Sequence, residues 1–174
     1  MINSTNQKGV GLMEVLVALF ILALGVLGFS ALQLRAMDAA QEATEYTVAM
    51  NNARDLAERM RVNRTALSDY KNAINNVVSI DTCTGINDIT IPKSLAIPKC
   101  NSTLMAQHDA TEILAKASDN GQTIIVENCV KSTLNCIYVA WGKTSIIASD
   151  LSNCVDTATG AYIVNAKCLV MEAF

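Results

Sequence analysis

The chain has 174 residues, of which 51% are apolar, 17% are charged and 5% are aromatic, and its formal net charge is -3 at pH 7. This length allows one domain with attached segments, because a single domain commonly takes about 100 to 200 residues. The slightly acidic balance argues against binding to nucleic acid, which normally requires a basic surface.

The first predicted element is an apolar helix. Residues 15–34 form a run of twenty residues without a charge. In a helix that rises about 1.5 Å per residue, they would span about 30 Å, the thickness of the hydrocarbon core of a bilayer. A cleaved secretory signal peptide, the alternative, would have a shorter apolar core that ends in a site of small residues. The run continues instead into a helical pattern, which favours a membrane-spanning segment over residues 10–34.

The charges around this segment predict its orientation and raise a question about Glu14. Lys8 precedes the segment without a nearby acid, so we expect a cytoplasmic N-terminus and an exported remainder.

Glu14 stands at the start of the apolar run, where a charge at bilayer depth costs roughly 2.5 to 3.5 kcal/mol. Its carboxylate either pairs with a cation or reaches interfacial water along its own side chain. Taken alone, these residues leave both readings open.

The next segment, residues 35–64, has the pattern of an amphipathic helix. Neither proline nor glycine interrupts residues 29–64, so a single helix is predicted from about Val10 to about Val62. Its charged residues alternate with apolar ones, which predicts one face turned toward a core. The residues assigned to that face are Leu34, Met37, Tyr46, Ala53, Leu56 and Met60.

A separate domain is predicted over residues 65–174. Residues 65–103 are polar and turn-rich, and a short helix is predicted from Thr103 to Ala117, with Asn101 or Ser102 as its cap. The apolar face assigned to this helix comprises Leu104, His108, Thr111 and Leu114.

Three segments after this helix predict β-strands. They are TIIVENCV at 123–130, CIYVAWGK at 136–143 and AYIVNAKCLVM at 161–171, all rich in β-branched and aromatic residues. A helix packed on an antiparallel sheet gives an α+β fold for this part of the chain.

All the cysteines follow residue 80, in the part expected to be exported. An even number of cysteines confined to such a part indicates disulfides formed in an oxidising compartment. A structural zinc site is not favoured, because no cysteine or histidine pair has the spacing of one, and we expect no metal and no cofactor. The six residues are Cys83, Cys100, Cys129, Cys136, Cys154 and Cys168.

No catalytic motif is present, so an enzyme is not predicted. Asp109, next to His108, is interpreted as a side chain on the helix surface rather than as part of a catalytic pair.

The sequence KGVGLMEVLVALFILALGVLGF at 8–29 resembles the leader and N-terminal helix of type IV pilins and pseudopilins. In that family a short basic leader ends in glycine, the fifth mature residue is Glu, and an apolar span follows. The stretch LAERMRVNR at 56–64 narrows the resemblance to the PilV minor pilins, also called type IV pilus modification proteins.

The resemblance implies processing, partners and a location. A leader of residues 1–9 would be removed by the prepilin peptidase at the Lys8, Gly9, Val10 site, and Val10 would be N-methylated. Glu14 would then pair with the new α-amino group of a neighbouring subunit. The chain would cross the inner membrane once, with a periplasmic head domain, and later enter the pilus fibre or its tip. The implied partners are the prepilin peptidase, other minor pilins, the major pilin and the inner membrane, without nucleic acid.

The function implied is that of a minor pilin that primes or caps pilus assembly. A minor pseudopilin of a type II secretion system is the alternative, and a membrane-anchored periplasmic binding domain is a third reading.

Six thiols allow fifteen complete pairings, among which sequence alone does not choose. Loop geometry favours the sequential pairs Cys83 with Cys100, Cys129 with Cys136, and Cys154 with Cys168, because bonded Cα atoms lie about 4.4 to 6.8 Å apart. The pair Cys129–Cys154, reaching across the sheet, is the alternative that stays open.

Overall fold

The computed structural model describes residues 11–78, 83 and 100–173, so the predicted leader and methylation residues Lys8, Gly9 and Val10 lie outside the described residues. The chain divides into two compact units, residues 1–43 and residues 44–174. We call them the N-terminal unit and the C-terminal unit. The helices are α1 (Leu12–Val62), α2 (Leu67–Asn76), which follows a short 3-10 turn, and α3 (Ser102–Asp119), and the strands are β1 (Gln122–Asn128), β2 (Asn135–Trp141) and β3 (Cys168–Ala173).

The first helix, α1, is continuous over 51 residues, which confirms the prediction of one uninterrupted helix over the described part of that range. Within the described ranges, it is the one helix whose length and composition would allow it to cross a membrane. These two properties follow from the sequence, since no helix breaker lies between Phe29 and Val62 and no charge lies between Glu14 and Arg35.

The large apolar side chains of the N-terminal unit are exposed. Phe20 is 65% exposed and Leu27 is 67% exposed. The prediction that Leu34 and Met37 face a core is wrong, because they are 65% and 69% exposed. It is also wrong for Tyr46 of the C-terminal unit, which is 46% exposed. A helical repeat of apolar residues marks a face that could be buried, but burial also needs another element to cover it.

The C-terminal unit is built on a three-stranded antiparallel sheet in the order β1-β2-β3. Residues one position apart point to opposite faces of a strand, so the sheet separates two apolar clusters. The larger cluster includes Leu56 and Met60 of α1 with Ile124 and Val139 of the sheet. The smaller cluster, on the opposite face, includes Ile125, Tyr138, Ala140, Ile146 and Val155. This arrangement is the α+β fold predicted, in the form that type IV pilins have.

The third helix begins at the predicted cap but buries a different face. The side chain of Asn101 accepts a hydrogen bond of 2.8 Å from the Leu104 N–H. Of the assigned face only His108 is buried, whereas Leu104, Thr111 and Leu114 are half-buried. Small side chains allow α3 to pack closely on α2 and β1, and a pattern of large apolar residues does not mark such positions. The buried residues of α3 are Ala106, His108, Asp109, Ala110, Ile113 and Ala117.

Two further elements differ from the prediction. The region after residue 65 contains the helix α2, which was not predicted because the sequence there is polar. Tyr70, Ala73 and Ile74 are buried in it at helical spacing. The third strand begins at Cys168 rather than at residue 161. Residues 161–167 form an isolated bridge and turns instead, and Asn165 there has a left-handed φ of 64°.

Three disulfides hold the C-terminal unit. The structure pairs Cys83 with Cys100, Cys129 with Cys136, and Cys154 with Cys168, at Cα separations of 5.5, 4.9 and 5.8 Å. These are the sequential pairs that loop geometry favoured, and the alternative Cys129–Cys154 pair is not formed.

Candidate assembly site

The carboxylate of Glu14 lies in the first turn of α1. The main-chain N–H groups of Glu14 and Val15 both donate to the carbonyl of Gly11, at 2.9 and 3.4 Å. An acidic side chain in the first turn of a helix interacts favourably with the helix dipole. Glu14 is therefore placed where it supports the start of the helix and stays available on its surface.

The surroundings of Glu14 are apolar and exposed. Val15 is 48% exposed and Leu19 is 56% exposed. The flanking cations along the sequence are Lys8, outside the described residues, and Arg35 at the far end of the apolar run. Such a surface requires cover by lipid or by other apolar helices, because contiguous apolar patches of this kind mark sites of membrane or protein contact.

A second polar site, in the C-terminal unit, joins three helices around Arg59. The guanidinium of Arg59 donates to Asp55 of its own helix at 2.8 Å. It also donates to Asp109 and Glu112 of α3, at 2.6 and 2.8 Å. We call Arg59 with Asp55, Tyr70, Asp109 and Glu112 the Arg59 cluster.

The second helix joins the cluster through Tyr70. The Tyr70 hydroxyl donates to the carboxylate of Asp109 and lies 3.3 Å from the carbonyl oxygen of Arg59. The interpretation of Asp109 as a surface side chain is wrong, since the residue is 8% exposed and bonds to α1 and α2. His108 lies beside it, with Nε2 at 3.6 Å from Glu112.

These contacts lower the pKa values of Asp55 and Glu112. Burial raises the pKa of Asp55, but hydrogen bonds from Arg59 and Lys116 outweigh burial and hold that pKa below its ordinary value of 3.8. For Glu112, the hydrogen bond from Arg59 outweighs burial and lowers the pKa below 4.5. Both carboxylates are therefore ionised at neutral pH and remain bound to their cations.

The pKa values of Arg59 and Tyr70 are raised above their ordinary values. Burial lowers the pKa of Arg59, but its bonds to the surrounding carboxylates raise that pKa above the ordinary value. Burial, with the hydrogen bond to Asp109, raises the pKa of Tyr70. The cluster thus holds α1, α2 and α3 together through charged hydrogen bonds, which are roughly twice as strong as neutral ones.

Two family models match parts of the chain. Residues 4–30 match the prokaryotic N-terminal methylation motif, and residues 31–111 match the Tt1218-like family, described as type IV pilin Tt1218. These matches identify a type IV pilin domain and a prepilin methylation motif. Neither the curated proteins nor the solved structures give a match.

The predicted processing and assembly residues all lie within the match to the methylation motif. The methylation motif contains Lys8, Gly9, Val10 and Glu14, and it implies processing by the prepilin peptidase and assembly with other pilins. Together with the apolar helix, it indicates membrane anchoring and incorporation into a pilus. Type IV pilins in general are structural proteins. The pilin match extends through α2 into α3, and the strands lie beyond it.

The sequence analysis did not find the Arg59 cluster. Two spacings hinted at it: Asp55 and Arg59 are one helical turn apart, as are Asp109 and Glu112. Fifty residues separate Arg59 from Asp109 in the chain, so only the packing of α3 on the other helices brings them together.

Proposed function

We propose that this chain is a minor pilin that enters type IV pili with other minor pilins and primes or caps their assembly. The observation that carries the proposal is the placement of Glu14 in the first turn of an exposed apolar helix, inside a methylation motif. The resemblance of residues 56–64 to the PilV minor pilins, the type IV pilus modification proteins, supports a minor rather than a major subunit.

The proposed mechanism begins with cleavage after Gly9. Removal of residues 1–9 creates a positive α-amino group on Val10, the residue that the resemblance implies is N-methylated. Opposite charges attract more strongly in a low-dielectric bilayer than in water, so Glu14 of an incoming subunit pairs with the N-terminus of a neighbour. This pair sets the register of one helix against the next.

The proposed organisation follows from this mechanism. Residues 10–34 cross the inner membrane with the N-terminus in the cytoplasm, and residues 35–64 form the amphipathic half of the helix. Residues 65–174 form the periplasmic head, held by three disulfides. After assembly the chain lies in the fibre or at its tip, among other minor pilins and the major pilin.

The first experiment separates processing from assembly. Gly9→Val should leave the leader attached, because the peptidase requires a small residue there, whereas Glu14→Ala should be cleaved but recovered in sheared fibres at least tenfold less than the native chain. Glu42→Ala is the matched control, since Glu42 is an exposed acid of the same helix outside the apolar run. A native protein whose N-terminus is Met1 would overturn the proposal, as would normal incorporation of Glu14→Ala.

The second experiment distinguishes a pilus from a secretion pseudopilus. The methylation motif would also suit a minor pseudopilin of a type II secretion system. Affinity purification of the full-length chain in detergent, followed by mass spectrometry, should recover pilus subunits. Recovery of secretion-system components instead would assign the chain to the pseudopilus.

A further inference from the structure

The helix α3 ends at a dipeptide whose conformation favours glycine. Asn120 is the C-terminal cap of α3, and Gly121 follows it with a φ of 65°, in the left-handed region. Helices commonly end with a left-handed residue at this place, usually glycine, because a side chain would be strained there. The end of α3 therefore selects glycine at position 121, directly before β1.

Asparagine at the preceding position contributes two hydrogen bonds to the helix end. Its side-chain amide donates to the Lys116 carbonyl at 2.7 Å, and its main-chain N–H donates to the Ala117 carbonyl at 3.1 Å. The last carbonyl groups of a helix need such partners from beyond its regular hydrogen bonds. The stability of this end thus favours Asn120 followed by Gly121, the one asparagine–glycine pair in the sequence.

The same pair is chemically labile. Deamidation begins when the main-chain nitrogen of Gly121 attacks Cγ of Asn120, and glycine hinders this attack less than any other residue. The N–Cγ bond forms, the Cγ–Nδ2 bond breaks, and ammonia leaves with the proton of the Gly121 N–H. Water then opens the five-membered succinimide ring at either carbonyl group, which gives aspartate or isoaspartate. Asn120 is exposed, so water can reach it.

The folded conformation keeps the reacting groups apart. The Gly121 N–H donates to the Ser118 carbonyl at 2.9 Å. Ring closure requires the Gly121 nitrogen to lie nearly eclipsed with Cβ of Asn120 about the Cα–C bond. The ψ of Asn120 is 8°, which places that nitrogen next to the main-chain nitrogen of Asn120 instead. The last turn of α3 must therefore open before the ring can close.

Conversion would alter the junction between α3 and β1. Either product replaces the amide donor by a carboxylate, which cannot donate to the Lys116 carbonyl and interacts unfavourably with the negative end of the helix dipole. Isoaspartate also inserts one carbon atom into the main chain shortly before Gln122. The Gln122 side chain accepts from Asn52 at 2.9 Å and donates to the Glu45 carbonyl at 3.1 Å. A shift at this junction would therefore strain bonds that tie β1 to α1.

We propose that Asn120 is a site of spontaneous deamidation, and that opening of the last turn of α3 controls its rate. The intact cap protects the residue, and each opening exposes it to an irreversible conversion. The inference concerns the C-terminal unit and does not depend on the function proposed above.

Peptide mapping by mass spectrometry tests the proposal on the full-length, detergent-solubilised chain. Samples are kept at mildly alkaline pH with and without urea, and the peptide that contains Asn120 is followed over time. Conversion should be at least tenfold slower in the folded chain than in urea, because the hydrogen bonds of the cap must break first. Both products, isoaspartate and aspartate, should appear. Equal rates in the two samples, no conversion in urea, or aspartate as the sole product would overturn the proposal.

Asn76, at the exposed end of α2, is the matched internal control. Its side-chain amide donates to the Asn72 carbonyl, four residues earlier, at 3.0 Å. The next residue, Val77, is also left-handed, with a φ of 51°, but its branched side chain hinders the attack. In urea, Asn76 should convert at least tenfold more slowly than Asn120. Similar rates at the two positions would overturn the proposal, because the glycine would then have no role.

Hydrogen exchange measures the same opening independently. The Gly121 N–H must leave the Ser118 carbonyl both before it exchanges and before its nitrogen attacks. Folding should therefore slow exchange of Gly121 and conversion of Asn120 by the same factor, within about threefold. Agreement of the two factors supports control by the last turn of α3. Exchange of Gly121 at the rate of the unfolded chain, with conversion still slow, would overturn it.

Discussion

The single helix α1 runs through two different environments, one in each unit. Leu27 in the N-terminal unit is 67% exposed, whereas Leu56 in the C-terminal unit is fully buried. Both leucines are equally good helix formers, so helix propensity does not explain the difference. Other elements of the C-terminal unit cover the C-terminal part of α1. The apolar side chains of its N-terminal part are exposed.

The charges of the two parts differ in the same way. Glu14 begins a long apolar run without a cation, whereas Arg59 contacts three carboxylates. The charges of the Arg59 cluster are thus paired within the chain. The charge of Glu14 lies on an exposed part of the N-terminal unit, where a partner can reach it, as the proposed function requires.

The largest expected effect comes from removing a buried leucine. Leu56→Ala should lower the free energy of unfolding of the C-terminal unit by about 2 to 5 kcal/mol, because it removes buried methyl groups and leaves a cavity. Leu27→Ala should change it by less than about 0.5 kcal/mol, as surface substitutions usually do. Urea unfolding of the detergent-solubilised chain, followed by the fluorescence of Trp141, measures both. Equal losses would show that the two parts of α1 are not independent.

A smaller loss is expected when the cation at the centre of the cluster is removed. Arg59→Met keeps the length of the side chain but leaves the Asp109 carboxylate, 12% exposed, without its cation. The expected loss is about 2 to 3 kcal/mol. Arg61→Met is the matched control, because its ion pair with Glu58 is more than half exposed and contributes under about 1 kcal/mol. Similar losses for the two variants would exclude a structural role of the cluster.

The two units also differ in the side chains that stabilise the starts of their helices. The start of α1 carries the acid Glu14, whereas α3 begins with a side-chain cap from Asn101. Asn101→Ala should lower stability by about 1 kcal/mol, and Asn101→Ser, which keeps an acceptor, should recover most of that loss. The same urea titration measures both variants. If the serine variant were no more stable than the alanine variant, the cap would have no role.

The smallest expected effect is a loss of stability in acid. Asp55 and Glu112 have lower pKa values folded than unfolded, so their contribution is present above the ordinary values of 3.8 and 4.5. It disappears as the pH falls through the lower pKa values of the folded state. The loss should be under about 1 kcal/mol, because the two side chains are 36% and 44% exposed. Arg59→Met should flatten this part of the pH profile, and an unchanged profile would contradict the assignment.

Several features of this protein follow from the sequence by itself. The uncharged run of residues 15–34 and the absence of helix breakers determine a long apolar helix, because both requirements are local. The cap at Asn101 is also local, as it involves an N–H only three residues away. The short loops between successive cysteines favoured the pairs that the structure forms, since ends close in sequence meet without help from distant elements.

The tertiary structure alone decided which faces are buried and which polar groups meet. The repeat in α1 continues through Leu34 and Met37, but other elements cover it only farther along, so these two side chains stay exposed. Neither the bonds of Asp109 to Arg59 and Tyr70 nor the bonds of Asn75 to Val126 can be read from local spacing. Each joins residues at least 39 positions apart, and their meeting depends on how helices and sheet pack rather than on what each segment prefers alone.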